Sequence, residues 1–119
     1  MATGERLICT AADLVNGGRG VRFEVERAGE RLPAFAVRFS GKVYAYLNQC
    51  AHVPVELDWQ PGEFFADSGL YLLCSTHGAM YAPDTGRCLG GRCDGRSLRP
   101  LPVSERAGQI FLITSEGLT

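Results

Sequence analysis

Residues 43–52 read VYAYLNQCAH and residues 74–86 read CSTHGAMYAPDTG, and these two stretches decide the fold. The first runs a series of apolar, β-favouring residues, Val43 to Leu47, into Cys50-Ala51-His52. The second opens on Cys74-Ser75-Thr76-His77 and passes into another short apolar run, Ala79 to Ala82. Each Cys/His pair therefore lies beside a predicted strand.

The same strand pattern continues outward. Short or alternating apolar runs separated by Gly and Pro predict strands at Leu7 to Cys9, Val21 to Glu26, Ala34 to Phe39, Lys42 to Leu47, Leu70 to Cys74, Ala79 to Ala82 and Gln109 to Thr114. Ser40-Gly41 reads as a tight hairpin turn. Ala11 to Val15 is compatible with one helical turn, and nothing else carries a helical period. The expected class is all-β. The two stretches that resist the pattern are Val53 to Ser68 and the Gly- and Arg-rich run Asp84 to Arg99. Loops of that length are uncommon in small domains and are usually functional.

Together the two pairs spell C-x-H-x21-C-x2-H, one thiolate and one imidazole from each half. Structural zinc sites with two Cys and two His usually draw the two Cys from one short segment and the two His from another. Here each segment is mixed. A [2Fe-2S] cluster with two His on one iron and two Cys on the other needs one ligand of each kind from each of two facing loops. The mixed pairs fit that demand, with a zinc site as the alternative. The chain has only two His, and both stand at motif positions.

On these residues the sequence resembles the Rieske family, in particular its soluble ferredoxin branch, and it is also similar to the small subunit of assimilatory nitrite reductase. Gly78, Tyr81 and Gly86 match the family pattern after the second pair. The resemblance implies a Rieske fold: a base of antiparallel sheets, about residues 1–45 and 96–119, carrying a small inserted cluster-binding subdomain, about residues 46–95. It implies one [2Fe-2S] cluster, with Cys50 and Cys74 on one iron and His52 and His77 on the other. The twenty-one-residue spacing is longer than the family leads one to expect, and the excess is assigned to a loop through Trp59, Gly62 and Phe65.

The departures from the family pattern concern redox chemistry. High-potential members carry an extra Cys in each ligand loop, joined as a disulfide; the matching positions here are Val55 and Thr76. They also use a Ser and a Tyr hydroxyl toward the cluster sulfurs, at positions that fall here on Ala79 and Tyr81. A hydroxyl that donates to those sulfurs stabilises the reduced form. If that bond is worth ~1.5–3 kcal/mol, its absence at Ala79 lowers a one-electron potential by roughly 65–130 mV. The expected midpoint lies in the lower half of the ~-150 to +300 mV Rieske range. Arg92 stands where related proteins carry a Pro in a cover over the cluster. It is read equally as a partner contact and as a solvated loop residue. Glu56, Asp58, Glu63 and Asp67 are read as steering a basic partner or simply keeping a long loop hydrated.

Three further cysteines remain. Cys88 and Cys93 are expected to be free thiols packed as small hydrophobes, in preference to a bond with one another, and Cys9 is expected in the core.

The whole chain bounds these readings. At 119 residues it has room for one domain, burying roughly two-thirds of its unfolded surface. A net charge of -1 shows no nucleic-acid footprint. No stretch approaches the ~20 apolar residues of a membrane span, and the amino terminus lacks the pattern of a secretory signal, so a soluble, cytoplasmic protein with no membrane partner is expected. Both His are committed to the cluster, which leaves none for a mononuclear oxygenase iron or a catalytic general base. The expectation is a non-catalytic electron carrier between a flavoprotein reductase and a terminal oxygenase or reductase. The alternatives are an electron-transfer small subunit of a nitrite reductase type of enzyme and a zinc-binding structural module.

Overall fold

The computed structural model describes residues 4–50, 55–58, 60–75, 78–91, 93 and 95–119. His52, Trp59, Thr76, His77 and Arg92, singled out above, lie outside the described residues. Ten strands follow in chain order: β1 Gly4–Thr10, β2 Val21–Arg27, β3 Glu30–Phe39, β4 Lys42–Leu47, β5 Leu72–Leu73, β6 Met80–Tyr81, β7 Cys88–Gly90, β8 Pro100–Leu101, β9 Val103–Arg106 and β10 Gln109–Thr114. One short 3-10 turn, Ala11–Asp13, falls where a helical turn was compatible with the sequence. The described residues hold no α-helix, and the all-β expectation stands.

The strands form three antiparallel sheets, in the orders β1-β10-β9, β2-β3-β4-β8 and β5-β6-β7. Three two-residue hairpin turns join the longer strands. Ser40-Gly41 is the turn read from sequence; Ala28-Gly29 and Ala107-Gly108 adopt the same form, with positive φ at both positions. That is the turn geometry whose twist matches a β-ribbon.

The second sheet is buried on both faces, and β3 shows why. Successive side chains in a strand point to opposite faces. Ala34 and Ala36 join one core with Val25, Ala45, Leu47, Leu101, Ile110 and Leu112, shared with the first sheet. Phe35 and Val37 join the other, with Tyr46, Leu57, Phe64, Leu72 and Tyr81, shared with the third. Arg38 of β3 ties the first two sheets together through a two-pronged ion pair with Glu105 of β9, at 2.6 and 3.1 Å. Cys9 sits in the first core as expected. Burial pushes its thiol up to about 11, with Asp13 adding to the effect, so it stays protonated at neutral pH.

Two strands expected from sequence are shorter than read: Leu70 to Cys74 contracts to β5, and Ala79 to Ala82 to β6. The backbone of Cys74 instead closes a loop.

Candidate metal centre

The third sheet is made wholly from residues 72–90, and both predicted ligand cysteines lie in the core it shares. Cys50 follows β4 and Cys74 follows β5; both are buried, at 4% and 0% exposure, in the same apolar core. Their loops are built alike. The Cys50 amide donates to the Val55 carbonyl at 2.8 Å, and the Cys74 amide donates to the Ala79 carbonyl at 2.8 Å. Each bond spans five residues forward and encloses the His of its own pair in the chain. The Ser75 amide, one residue past Cys74, donates to the Leu57 carbonyl at 3.1 Å and joins the two loops.

Tyr81 lies on β6. Its side chain is fully buried, and its hydroxyl lies 3.3 Å from the Cys50 sulfur. A phenol placed there donates to a thiolate when Cys50 is ionised. Ala79 is fully buried and brings no hydroxyl. Val55, at one of the positions that carries Cys in high-potential relatives, packs on the apolar core.

The long first loop is organised around two residues that the sequence reading did not single out, Asn48 and Phe64. Asn48 is the one buried polar residue of the described core. Its side-chain oxygen accepts from the Leu57 amide at 2.9 Å, and its amide group donates to Asp58 at 3.1 Å. Asp58 also accepts from the Gly62 amide at 3.1 Å. Phe64 stacks on Phe35 of β3 with ring centroids 4.0 Å apart, which clamps the loop to the central sheet. Tyr46 of β4 donates to the Pro83 carbonyl at 2.7 Å, and Gly86 lies so close to the Tyr46 ring that an added Cβ would come within 2.7 Å of it. Only glycine fits there.

The four acidic residues of the first loop divide. Glu56 pairs with Arg22 at 2.8 Å, and the half-buried Asp58 is held by Asn48 and Gly62 with Arg22 at 3.6 Å, so both serve the loop itself. Glu63 and Asp67 instead line a surface groove of about 330 Å³ with Phe65, Tyr71, Leu73 and Ser75, which reaches the residue next to Cys74.

One expectation is corrected. Cys88 and Cys93 are joined as a disulfide, with Cα atoms 5.6 Å apart. Strand β7 starts at Cys88 and the chain turns back through Gly91, with the Arg96 amide bonded to the Cys93 carbonyl at 2.8 Å, so the two Cα atoms meet at bridging distance. The bias toward free thiols came from an assumed reducing compartment, and spacing alone carried no opposing signal.

The buried Cys pair, the mixed Cys/His loops and a phenol beside the Cys50 sulfur fit a His-and-Cys-held [2Fe-2S] group. They fit structural zinc less well, since each loop mixes ligand types.

Comparison with known proteins agrees. The family model of the Rieske [2Fe-2S] domain matches residues 5–104. The ferredoxin of carbazole 1,9a-dioxygenase from Nocardioides aromaticivorans IC177 superposes with a TM-score of 0.71 at 25% identity, over 93% of this chain and 98% of that one. The ferredoxin of Sphingomonas yanoikuyae B1 gives 0.70 at 18% identity, over 94% and 100%. The terminal oxygenase of carbazole 1,9a-dioxygenase from N. aromaticivorans IC177 gives 0.69 at 22% identity; the match covers 94% of this chain and only 30% of the oxygenase. No curated protein sequence matches the chain.

Proposed function

Because this chain belongs to the Rieske [2Fe-2S] domain family, whose fold implies one such cluster, we propose that it is a ferredoxin-type carrier moving one electron at a time. The donor is a flavoprotein reductase and the acceptor a terminal oxygenase or reductase, in the cytoplasm. Among the described residues no helix is long and apolar enough to cross a membrane. The observation that carries the reading is the pair of like-built loops headed by buried Cys50 and Cys74.

In this account Cys50 and Cys74 hold one iron as thiolates and His52 and His77 hold the other, within a cluster-binding subdomain of about residues 46–95 on a base of about 1–45 and 96–119. The bound cluster supplies reversible one-electron chemistry. Burial of the Cys sulfurs keeps water from them, and the Tyr81 hydroxyl donates to the Cys50 sulfur and favours the reduced state. Ala79 offers no second hydroxyl, which keeps the potential in the lower half of the ~-150 to +300 mV range. Glu63 and Asp67 beside Ser75 favour a partner that presents a basic patch.

Similarity over nearly their whole length to two ferredoxins, one of them that of carbazole 1,9a-dioxygenase, supports a carrier. A solved complex of reduced oxygenase with oxidised ferredoxin, matched at 24% identity over 92% of each chain, shows that fold docked to a terminal oxygenase. The test is a reconstituted chain: an NADH-linked flavoprotein reductase should reduce the protein, and an added terminal oxygenase should reoxidise it over repeated cycles, with the protein eluting alone on gel filtration. Permanent association with a catalytic subunit would favour the small-subunit reading. Zinc without sulfide would favour a structural module.

A further inference from the structure

We propose that Cys88–Cys93 is a second redox site, a disulfide that exchanges with an external dithiol and thereby controls how firmly the cluster loops are covered. The inference rests on the cluster reading above.

The disulfide closes a third six-residue loop beside the two that begin at Cys50 and Cys74. Its position ties it to both. Cys88 is the direct cross-strand partner of Tyr81, the residue whose hydroxyl lies 3.3 Å from the Cys50 sulfur. Cys93 is fully buried in the same core as Cys50, Cys74 and Ala79. Between the two cysteines, Gly91 is seated on the second ligand loop: an added Cβ would lie 2.9 Å from the Ala79 Cα and 3.0 Å from the Gly78 carbonyl oxygen.

The two cysteines are unequally buried. Cys88 is only partly buried and precedes Leu89, which is 56% exposed, whereas Cys93 is at 0%. An incoming thiolate therefore reaches Cys88 first. Among the described residues the loop's backbone ties are short-range: β7 is three residues long, its pairing with β6 carries a register shift, the Cys88 amide reaches the Arg96 carbonyl at 3.2 Å, and the Arg96 amide reaches the Cys93 carbonyl at 2.8 Å. Opening the disulfide frees a loop that contains Gly90 and Gly91.

The exchange balances with a dithiol of the thioredoxin class as reductant. One thiolate attacks the Cys88 sulfur, forming a mixed disulfide and breaking the Cys88–Cys93 bond, and Cys93 leaves as a thiolate that takes up a proton. The second thiolate of the dithiol then attacks its own sulfur in the mixed disulfide and releases Cys88, which is protonated in turn. Two electrons and two protons pass from the dithiol, which ends as a disulfide, to the Cys pair. In a reducing compartment, disulfides that form are usually transient or redox-sensing, which accords with such a role.

The experiment uses the iron-loaded protein, checked first for iron, sulfide and its paramagnetic signal. Peptide mass spectrometry without reductant should show Cys88 cross-linked to Cys93. Under anaerobic dithiothreitol the native protein should become alkylated at Cys88 before Cys93. Iron release to a chelator should then rise by roughly ten- to fortyfold, as expected for removing a short-loop constraint. A double variant, Cys88→Ser with Cys93→Ser, should show the fast release with or without dithiothreitol, which separates disulfide opening from any direct action of the thiol on iron. Free, alkylatable Cys88 and Cys93 in the oxidised protein would overturn the proposal, and so would unchanged iron release after the disulfide is opened. If the double variant does not assemble, the two wild-type rates decide. Absence of iron and sulfide at the outset would sink the cluster reading instead, while the cross-link result would still be read separately.

Discussion

Two regions of this fold are held by different means. In the four-stranded sheet, β2 has seven residues and β3 ten, and they pair continuously from Val21–Ala36 to Arg27–Glu30 across a two-residue turn. Around the candidate metal centre, β5 and β6 have two residues each and β7 three, and the β6–β7 pairing carries a register shift. Strands that short do not stand on their own ladder. The region depends on side chains reaching back to the central sheet, on a disulfide and, in the proposed reading, on ligated iron, whose binding free energy adds to folding. The difference teaches where precision is needed: a backbone ladder suffices to carry a platform, whereas a site that positions two sulfurs and a phenol is specified residue by residue.

The sharpest way to break this contrast is Phe64→Ala. Its ring stacks on Phe35 at 4.0 Å and is fully buried, so the substitution should cost about 3–5 kcal/mol in denaturant unfolding. A loss below about 1 kcal/mol would show that the long loop is anchored elsewhere. Next in size is Tyr81→Phe, which keeps the ring in the core and removes the hydroxyl near the Cys50 sulfur. The midpoint should fall by roughly 65–130 mV in voltammetry, the equivalent of one charge-assisted hydrogen bond. An unchanged midpoint would remove Tyr81 from the redox argument and leave it as packing.

The smallest effect is expected at the β9–β10 turn. Ala107 sits at φ 52° in the Ala107-Gly108 turn, a conformation that an L-residue other than Asn, Asp or Gly adopts at a cost. Ala107→Asn should raise stability by roughly 0.5–1 kcal/mol without altering the metal centre. Thermal unfolding would measure it, and a loss of stability would mean that the turn is not of the assumed form.

Much of the two larger strand groups was legible in the sequence because their signals are local. β4 and β10 have the bounds read from alternation, and Ser40-Gly41 is the turn it reads as. Ala28-Gly29 and Ala107-Gly108 escaped because alanine at the first position carries no turn signal, although the strands on either side force the same geometry. β7, β8 and β9 were missed since runs of two to four residues, interrupted by Pro100 and Pro102, are too short to show a period. At the metal centre, Cys50, Cys74 and Tyr81 were visible through the motif. Asn48 and Phe64 were not, because a hydrogen-bonding hub and a ring stacked across the chain are tertiary facts with no local pattern. The Cys88–Cys93 bond belongs with them: a spacing of five fits a thiol pair as well as a disulfide until the turn after β7 is known.

The central claim is that Cys50, His52, Cys74 and His77 hold a [2Fe-2S] cluster. Its most direct test is electron paramagnetic resonance of anaerobically purified, dithionite-reduced protein, run beside iron, zinc and sulfide analysis and repeated on His77→Ala. The account predicts a rhombic signal with average g near ~1.9 and about two irons per chain, both lost in the variant. Zinc without sulfide in the wild-type protein, or a variant that keeps the signal, would contradict it.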